Sequence, residues 1–253
     1  MRIPRCFIDQ PLQTGEEIAL DERAHRHVVQ VLRLRVGAPL ILFNGEGGEY
    51  AVTLTQAERR ASRVHIDEHR PRDTRPALRV TLLQGIAKGD RMDYSLQKAT
   101  ELGVSRIQPL VARRSVTHDD PKRMQKRLDH WRGVIISACE QSGRTDIPKL
   151  LPPLPLSQWL DEQPGREAQE VASWSLVLDP EATSGLGDLA ASRDQPRAVT
   201  LLIGPEGGLE EGEIAQARHC GLSPVRLGPR VLRTETAGVA ALAIIQSLWG
   251  DMG

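Results

Sequence analysis

The chain has 253 residues, 40% of them hydrophobic and 26% charged, with 33 Lys and Arg against 33 Asp and Glu. That balance belongs to a folded globular protein of one large domain or two smaller ones, and it excludes a disordered chain. The longest nearly apolar stretch, Ala237 to Trp249, falls short of the about 20 residues needed to cross a bilayer, so no membrane partner is expected.

Arg5–Asp9 and Glu16–Leu20 read as short strands, and Asp21 as the cap of a helix carrying Ala24, Val28, Val31 and Leu32 on one face. Leu40–Phe43 and Tyr50–Thr55 make a hairpin around the turn residues Asn44 to Gly48, with Arg63–Asp67 a further strand. Short strands around a turn-rich hairpin predict a small β-barrel. The polar stretch Arg70 to Pro76 suits a linker, which divides the chain into domains 1–73 and 74–253.

Beyond it, strands alternate with helical periods, the pattern of an α/β domain with a largely parallel sheet. Leu78–Leu83 is a strand, and Met92, Leu96, Ala99 and Leu102 line a helix that starts near Asp90 and ends at Gly103. Val104–Val111 is the next strand. Asp120 caps a long helix with Pro121 at its first position and Met124, Leu128, Trp131, Ile135 and Ala138 on one face. Pro148, Pro152, Pro153 and Pro155 form an extended connector. Ser175–Asp179 and Val199–Gly204 are strands separated by a polar loop, a helix opens at Glu210 to Glu213, and Val225–Leu227 is a short strand before the closing helix. That last helix is apolar on two flanks, Val239, Leu242, Ile245 and Trp249 on one and Ala241, Ile244 and Leu248 on the other. One small domain does not cover both, so a second copy of the chain is expected against it.

The N-terminus has no apolar signal segment, and three widely spaced cysteines, Cys6, Cys139 and Cys220, fit reduced thiols; a cytoplasmic location is expected. The net charge of zero hides a gradient: residues 76–150 carry 14 bases against 8 acids, and residues 151–253 carry 7 against 14. Of the 33 bases 28 are Arg, which fits either RNA recognition by guanidinium forks or a genome that favours Arg codons. His65 and His69 stand four apart but on a strand with no third ligand, so no metal is expected, and His25 and His27 read as solvated or as phosphate contacts.

Two loops carry the candidate chemistry. Gly204-Pro205-Glu206-Gly207-Gly208 follows an apolar strand, where α/β sheets bind ligands because absent side chains let backbone approach; alternatively its glycines only make a tight turn. It lacks the lysine of a phosphate-cradling loop and the spacing of a dinucleotide fingerprint, which disfavours nucleoside triphosphates and nicotinamide cofactors. The second loop, Gly228 to Ala237, delivers Arg230, Arg233 and Glu235 ahead of a helix N-terminus, as an anion site or as a surface ion pair.

Taken together, KGDRMDYSLQKATELGV at 88–104, RRSV at 113–116, EQSGR at 140–144, IGPEGG at 203–208 and LGPRVLRTETA at 227–237 resemble the RsmE-type ribosomal RNA methyltransferases of the SPOUT superfamily. Val231 stands where isoleucine is common, and the stretch 180–197 is not transferable. The resemblance implies an N-terminal PUA-like β-barrel, a C-terminal α/β domain with a deep trefoil knot, and a homodimer. It also implies S-adenosyl-L-methionine as cofactor and methylation of N3 of a uridine in 16S ribosomal RNA of the small ribosomal subunit. A non-catalytic RNA-binding or assembly factor that keeps the fold is the other reading.

By position, the cofactor would lie on Leu178, Asp179 and Pro180, on Ile203, Gly204, Pro205, Glu206, Gly207 and Gly208, and on Leu227, Gly228, Val231, Leu232, Arg233, Thr236 and Ala237. Removing the N3 proton leaves charge that an arginine fork stabilises while a carboxylate or water accepts the proton. Arg233 is the candidate fork, with Glu235 and Glu206 as acceptors or orienters. Arg33, Arg35, Lys88, Arg91, Arg114 and Arg144 are the candidate RNA contacts.

Overall fold

A computed structural model describes residues 3–115, 120–162, 172–192 and 194–253. They fall into two units, Met1–Arg75 with Ile136–Ile147, and Pro76–Ile135 with Pro148–Gly253. In the first unit β1 (Arg5–Phe7), β2 (Glu17–Ala19), β3 (Pro39–Phe43), β4 (Glu49–Ala57) and β5 (Ser62–Arg70) form a sheet ordered β1-β3-β4-β5-β2. β1 runs parallel to β3 and the other pairs are antiparallel. One face of the sheet closes on a single core that includes Cys6, Leu40, Leu42, Val52, Leu54, Val64 and Ile66.

Helix α1 (Glu22–His25) starts where the sequence places it, with Asp21 Oδ1 accepting the Ala24 N–H at 2.7 Å. It then widens into a π-helical turn, Arg26–Val31, in which the Leu32 N–H reaches back to His27 O at 2.9 Å. The extra residue per turn breaks the predicted face. Ala24 and Val28 are buried, whereas Val31 and Leu32 are 63% and 38% exposed. His25 is buried instead of solvated, its Nδ1 3.0 Å from Ser62 Oγ.

Segment Ile136–Ile147 completes this unit with polar bonds. Glu140 Oε1 accepts from the Phe7 N–H and from Arg23, both at 2.9 Å. Arg5 pairs with Glu49 in the interior and donates to Arg144 O at 3.2 Å, while the Thr145 N–H donates to Thr74 Oγ1 at 2.8 Å.

The second unit is built on β6 (Arg79–Gly85), β7 (Arg106–Val111), β8 (Lys149–Leu150), β9 (Leu154–Pro155), β10 (Ser173–Leu178), β11 (Ala198–Ile203) and β12 (Ser223–Val225). All pair in parallel, in the order β12-β10-β11-β6-β7-β8, with β9 also on β7. The helices are α2 (Asp90–Glu101), α3 (Pro121–Ser142), whose final turns belong to the first unit, α4 (Leu156–Asp161), α5 (Leu186–Ser192), α6 (Glu211–His219) and α7 (Thr234–Trp249). Gly103 ends α2 at φ +81°, as predicted.

Two short helices, α4 and α5, stand where the sequence suggests a proline-rich connector and a polar loop. Their buried Leu156, Leu160 and Leu186 supply the tertiary contact that so short a helix needs. Leu83, Leu110, Val177 and Leu202 of the sheet form one core with α4 and with Ala217 of α6. On the opposite sheet face Gln84 and Ile203 meet Thr234 and Gly238 of α7. Ala241 is buried along with Leu242 and Ile245, so the open flank of α7 is narrower than predicted and carries Ile244 and Leu248.

Candidate active site

Because β10, β11 and β12 are parallel, the loops leaving their carboxyl ends share one edge of the sheet. There they enclose a cavity of about 350 Å³, walled by Leu178 to Pro180, Ile203 to Leu209 and Val225 to Gly228. Arg230, Val231 and Leu232 continue the wall, Thr234 and Ala237 of α7 and Ile214 of α6 close it, and Arg114 reaches in after β7. Nearly all of the predicted cofactor residues therefore converge. Arg233 and Thr236 do not line the cavity and are exposed.

The lining is backbone-rich for a steric reason. A Cβ on Gly204 would stand 2.9 Å from Leu209 N and 3.0 Å from Gly208 C, so the loop folds upon itself only around a bare α-carbon. Beneath it Gly85, at the end of β6, would bring a Cβ within 2.5 Å of Pro205 N. The Thr234 hydroxyl donates to Gly204 O at 2.6 Å and accepts from Gln84 Nε2 at 3.0 Å. Gly85 lies outside every motif, and Thr234, though within LGPRVLRTETA, shows its role only where α7 meets the loop and β6. Gly228 is required differently: nothing lies near its Cβ position, but φ is +73°.

Beside the cavity the charged groups pair across α2 and the two loops. Glu206 Oε1 accepts from the Lys88 N–H at 2.8 Å and from Arg91 at 3.1 Å. Burial pushes its pKa up, and the Lys88 N–H, its own N–H and Arg91 together outweigh burial, leaving it below the ordinary glutamate value. Arg91 Nε also lies 3.9 Å from Glu235, whose Oε2 is buried without a hydrogen-bond partner among the described residues. The ion pair between Arg233 and Glu235 is thus replaced by one with Arg91.

Arg114 donates to Gly207 O at 2.9 Å and faces Glu210 at 3.8 Å. Glu210 and Glu213 form a capping box on α6, and Glu213 also accepts the Arg113 N–H at 2.9 Å. Lys88, Arg33 and Arg35 are exposed, the last two in the first unit. Arg144 differs from expectation: it is 5% exposed, with its guanidinium on Asp146, so it braces the turn after α3. Val116 of RRSV and Arg193 in the stretch 180–197 lie outside the described residues.

Residues 74–246 match the RNA methyltransferase domain family, and residues 20–67 match the RNA methyltransferase PUA domain. The chain belongs to this RNA methyltransferase family. Ribosomal RNA small subunit methyltransferase E from Mycobacterium tuberculosis is 34% identical over 96% of this chain and 92% of its own length. The enzyme of that name from Neisseria gonorrhoeae, crystallised bound to S-adenosyl methionine, is 37% identical with a TM-score of 0.89 over the whole of both chains. A protein from Legionella pneumophila, solved in complex with the bound cofactor SAM, is 36% identical with a TM-score of 0.91 over 99% of this chain and 100% of its own. The fold is accordingly an α/β methyltransferase domain with a PUA-like N-terminal domain.

Proposed function

We propose that this protein transfers a methyl group from S-adenosyl-L-methionine to N3 of a uridine in 16S ribosomal RNA. The observation that carries this reading is the backbone-walled cavity at the ends of β10, β11 and β12. The residues fit the cofactor: Leu178, Ile203, Val225 and Leu227 offer apolar walls to a flat base, and the three loops offer backbone donors and acceptors to its edges. A Cβ on Gly204 would crowd the cradle.

The cofactor supplies an electrophilic methyl on sulfonium, so the protein's part is positioning, a dry pocket and one proton. Arg233, exposed beside the cavity, is the fork that stabilises charge developing on the uracil carbonyls as N3 loses its proton. Glu235 Oε2, without a hydrogen-bond partner among the described residues, is the acceptor we assign to that proton. Glu206, already held by Lys88 and Arg91, orients the loop instead of exchanging protons.

In the same reading RNA is gripped by domain 1–73 and methylated by domain 74–253. Arg33, Arg35 and Lys88 meet its phosphates, and the enzyme works in the cytoplasm with the small ribosomal subunit. A second copy of the chain covers Ile244 and Leu248, which are 39% and 41% exposed. The chain end is threaded as a trefoil knot, a reading supported by α7 leaving edge strand β12 yet packing against α2 and β11.

Nucleoside mapping of ribosomal RNA from cells with and without the gene tests the activity. A 3-methyluridine lost with the gene and restored by the protein is expected; an unchanged modification map refutes it. No observation favours a non-catalytic assembly factor, and calorimetric binding of S-adenosylhomocysteine separates the two.

A further inference from the structure

The π-helical turn after α1 makes a surface that no amphipathic helix would have made. It delivers Val31 and Leu32 to solvent, and four residues later Val36 is also 62% exposed. Between them Arg33 sits at φ +53°, one of two non-glycine residues at positive φ among the described residues. The left-handed region is unfavourable for a side-chain-bearing residue, and such strain persists where the surrounding structure enforces it. Here the chain is held on both sides, by the Leu34 N–H on Val28 O at 3.0 Å and the Gly37 N–H on Leu54 O at 2.7 Å. Arg33 and Arg35 are both exposed and make no side-chain hydrogen bond or ion pair among the described residues.

Charge points the same way. No Asp or Glu occurs between Glu22 and Glu46, whereas Arg23, Arg26, Arg33 and Arg35 all fall in that interval. Arg23 and Arg26 are neutralised by Glu140 and Glu22, which leaves Arg33 and Arg35 as the uncompensated pair beside three bare aliphatic side chains. Val31, Leu32 and Val36 are three exposed aliphatic residues within six positions, a local concentration unlike the scattered single ones that any surface carries.

We propose that residues 31–36 dock unpaired nucleotides of the RNA substrate, with Val31, Leu32 and Val36 packing on exposed base faces and Arg33 and Arg35 on the flanking phosphates. The inference rests on the RNA methyltransferase reading above and adds the form of RNA this surface takes. Aliphatic side chains gain contact only with bases that are free of a helix, because paired bases bury their faces in the stack. The two arginines supply the sequence-independent attraction.

The test uses the full-length protein and a fluorescein-labelled twelve-nucleotide single-stranded RNA, with the same strand in a duplex as the comparison. Val31→Ser with Val36→Ser should weaken single-strand binding about tenfold, leave duplex binding unchanged and leave the melting temperature at the parent value, since both side chains are exposed. Arg33→Gly keeps the left-handed backbone and removes the charge. It should lower the salt slope of single-strand binding by about 0.7 while melting no lower than the parent. Methylation at saturating ribosomal RNA should stay at the parent rate in the serine variant.

Equal loss on single strand and duplex from the serine variant would overturn the base-face contact. Unchanged RNA affinity in both variants, with wild-type methylation intact, would remove this loop from the RNA and assign the patch to a protein or membrane surface. If the parent itself methylated no RNA, the underlying reading would fall, and this inference with it.

Discussion

Replacing Gly85 with alanine tests whether the cavity is a backbone cradle. On the present backbone the added Cβ stands 2.5 Å from Pro205 N, 2.7 Å from Gly204 C and 2.7 Å from Pro205 Cδ. Ordinary carbon contacts lie at roughly 3.5–4.0 Å, so relief takes a retreat of about 1 Å. Two of the three atoms are backbone and the third belongs to a proline ring, so no side chain can rotate away. Strand β6 is fixed between β11 and β7, and the yielding element is therefore the loop Gly204 to Gly208.

Overpacking of this kind costs about 1–3 kcal/mol of fold stability. Each ligand hydrogen bond that the displaced loop forfeits is worth about 0.5–1.5 kcal/mol, so losing two weakens binding by about fivefold to a hundredfold. Calorimetric titration of S-adenosylhomocysteine into Gly85→Ala, with its melting temperature measured alongside, should show both losses. A dissociation constant within about twofold of the parent and an unchanged melting temperature would refute the reasoning, because the loop would then accept the methyl group without moving.

Gly204→Val should abolish cofactor binding while the protein still unfolds cooperatively; unchanged calorimetric affinity would contradict the close approach at that position. Arg233→Ala should lower the single-turnover methylation rate on the order of a hundredfold with cofactor affinity intact, and a parental rate would remove Arg233 from the chemistry. Ile244→Asp with Leu248→Asp should convert a two-chain sedimentation mass to one chain, and a parent that already sediments as one chain at micromolar concentration would end the dimer reading. Glu206 is held below its ordinary value, so its bonds to Lys88 and Arg91 stabilise the folded chain above the usual glutamate range and are lost as pH falls through the lowered value. Melting temperature against pH should therefore fall less steeply on the acid side in Glu206→Gln, and superimposable acid limbs would count against this role.

Period and punctuation made much of the fold legible. Asp21, Gly103 and the apolar strand before Gly204 act within a few residues of the features they set, so a local reading finds them. The π turn is invisible to a 3.6-residue period, and Val31 and Leu32 therefore fall on the wrong side of the prediction. The site shows the same division. Glycines at strand ends announce the cavity, but Gly85 acts on a loop more than a hundred residues away and stands in no motif, while the bond from Thr234 to Gly204 joins two separate motifs that spacing does not connect. Arg91 reads in sequence as a candidate RNA contact, whereas α2 sets it beside Glu206 and Glu235, pairings fixed by sheet order and not by spacing. Arg144 looks exposed in EQSGR because a burial partner two residues on, Asp146, lies past the end of the motif.

The segment Ile136–Ile147 bears on how this gene could be recombined. The Phe7 amide and Arg23 depend on Glu140, Arg5 on the carbonyl of Arg144, and Thr74 on Thr145. A fragment cut at Arg75 leaves those groups without their partners, at about 1–3 kcal/mol for each buried one, against a whole-domain stability of roughly 5–15 kcal/mol. A crossover at the linker between two distant relatives would pair the N-terminal sheet with a foreign helix end and pay that penalty at once. Exchange of the N-terminal unit then succeeds only when a dozen codons from the middle of the gene travel with it, so the two stretches must be inherited as one.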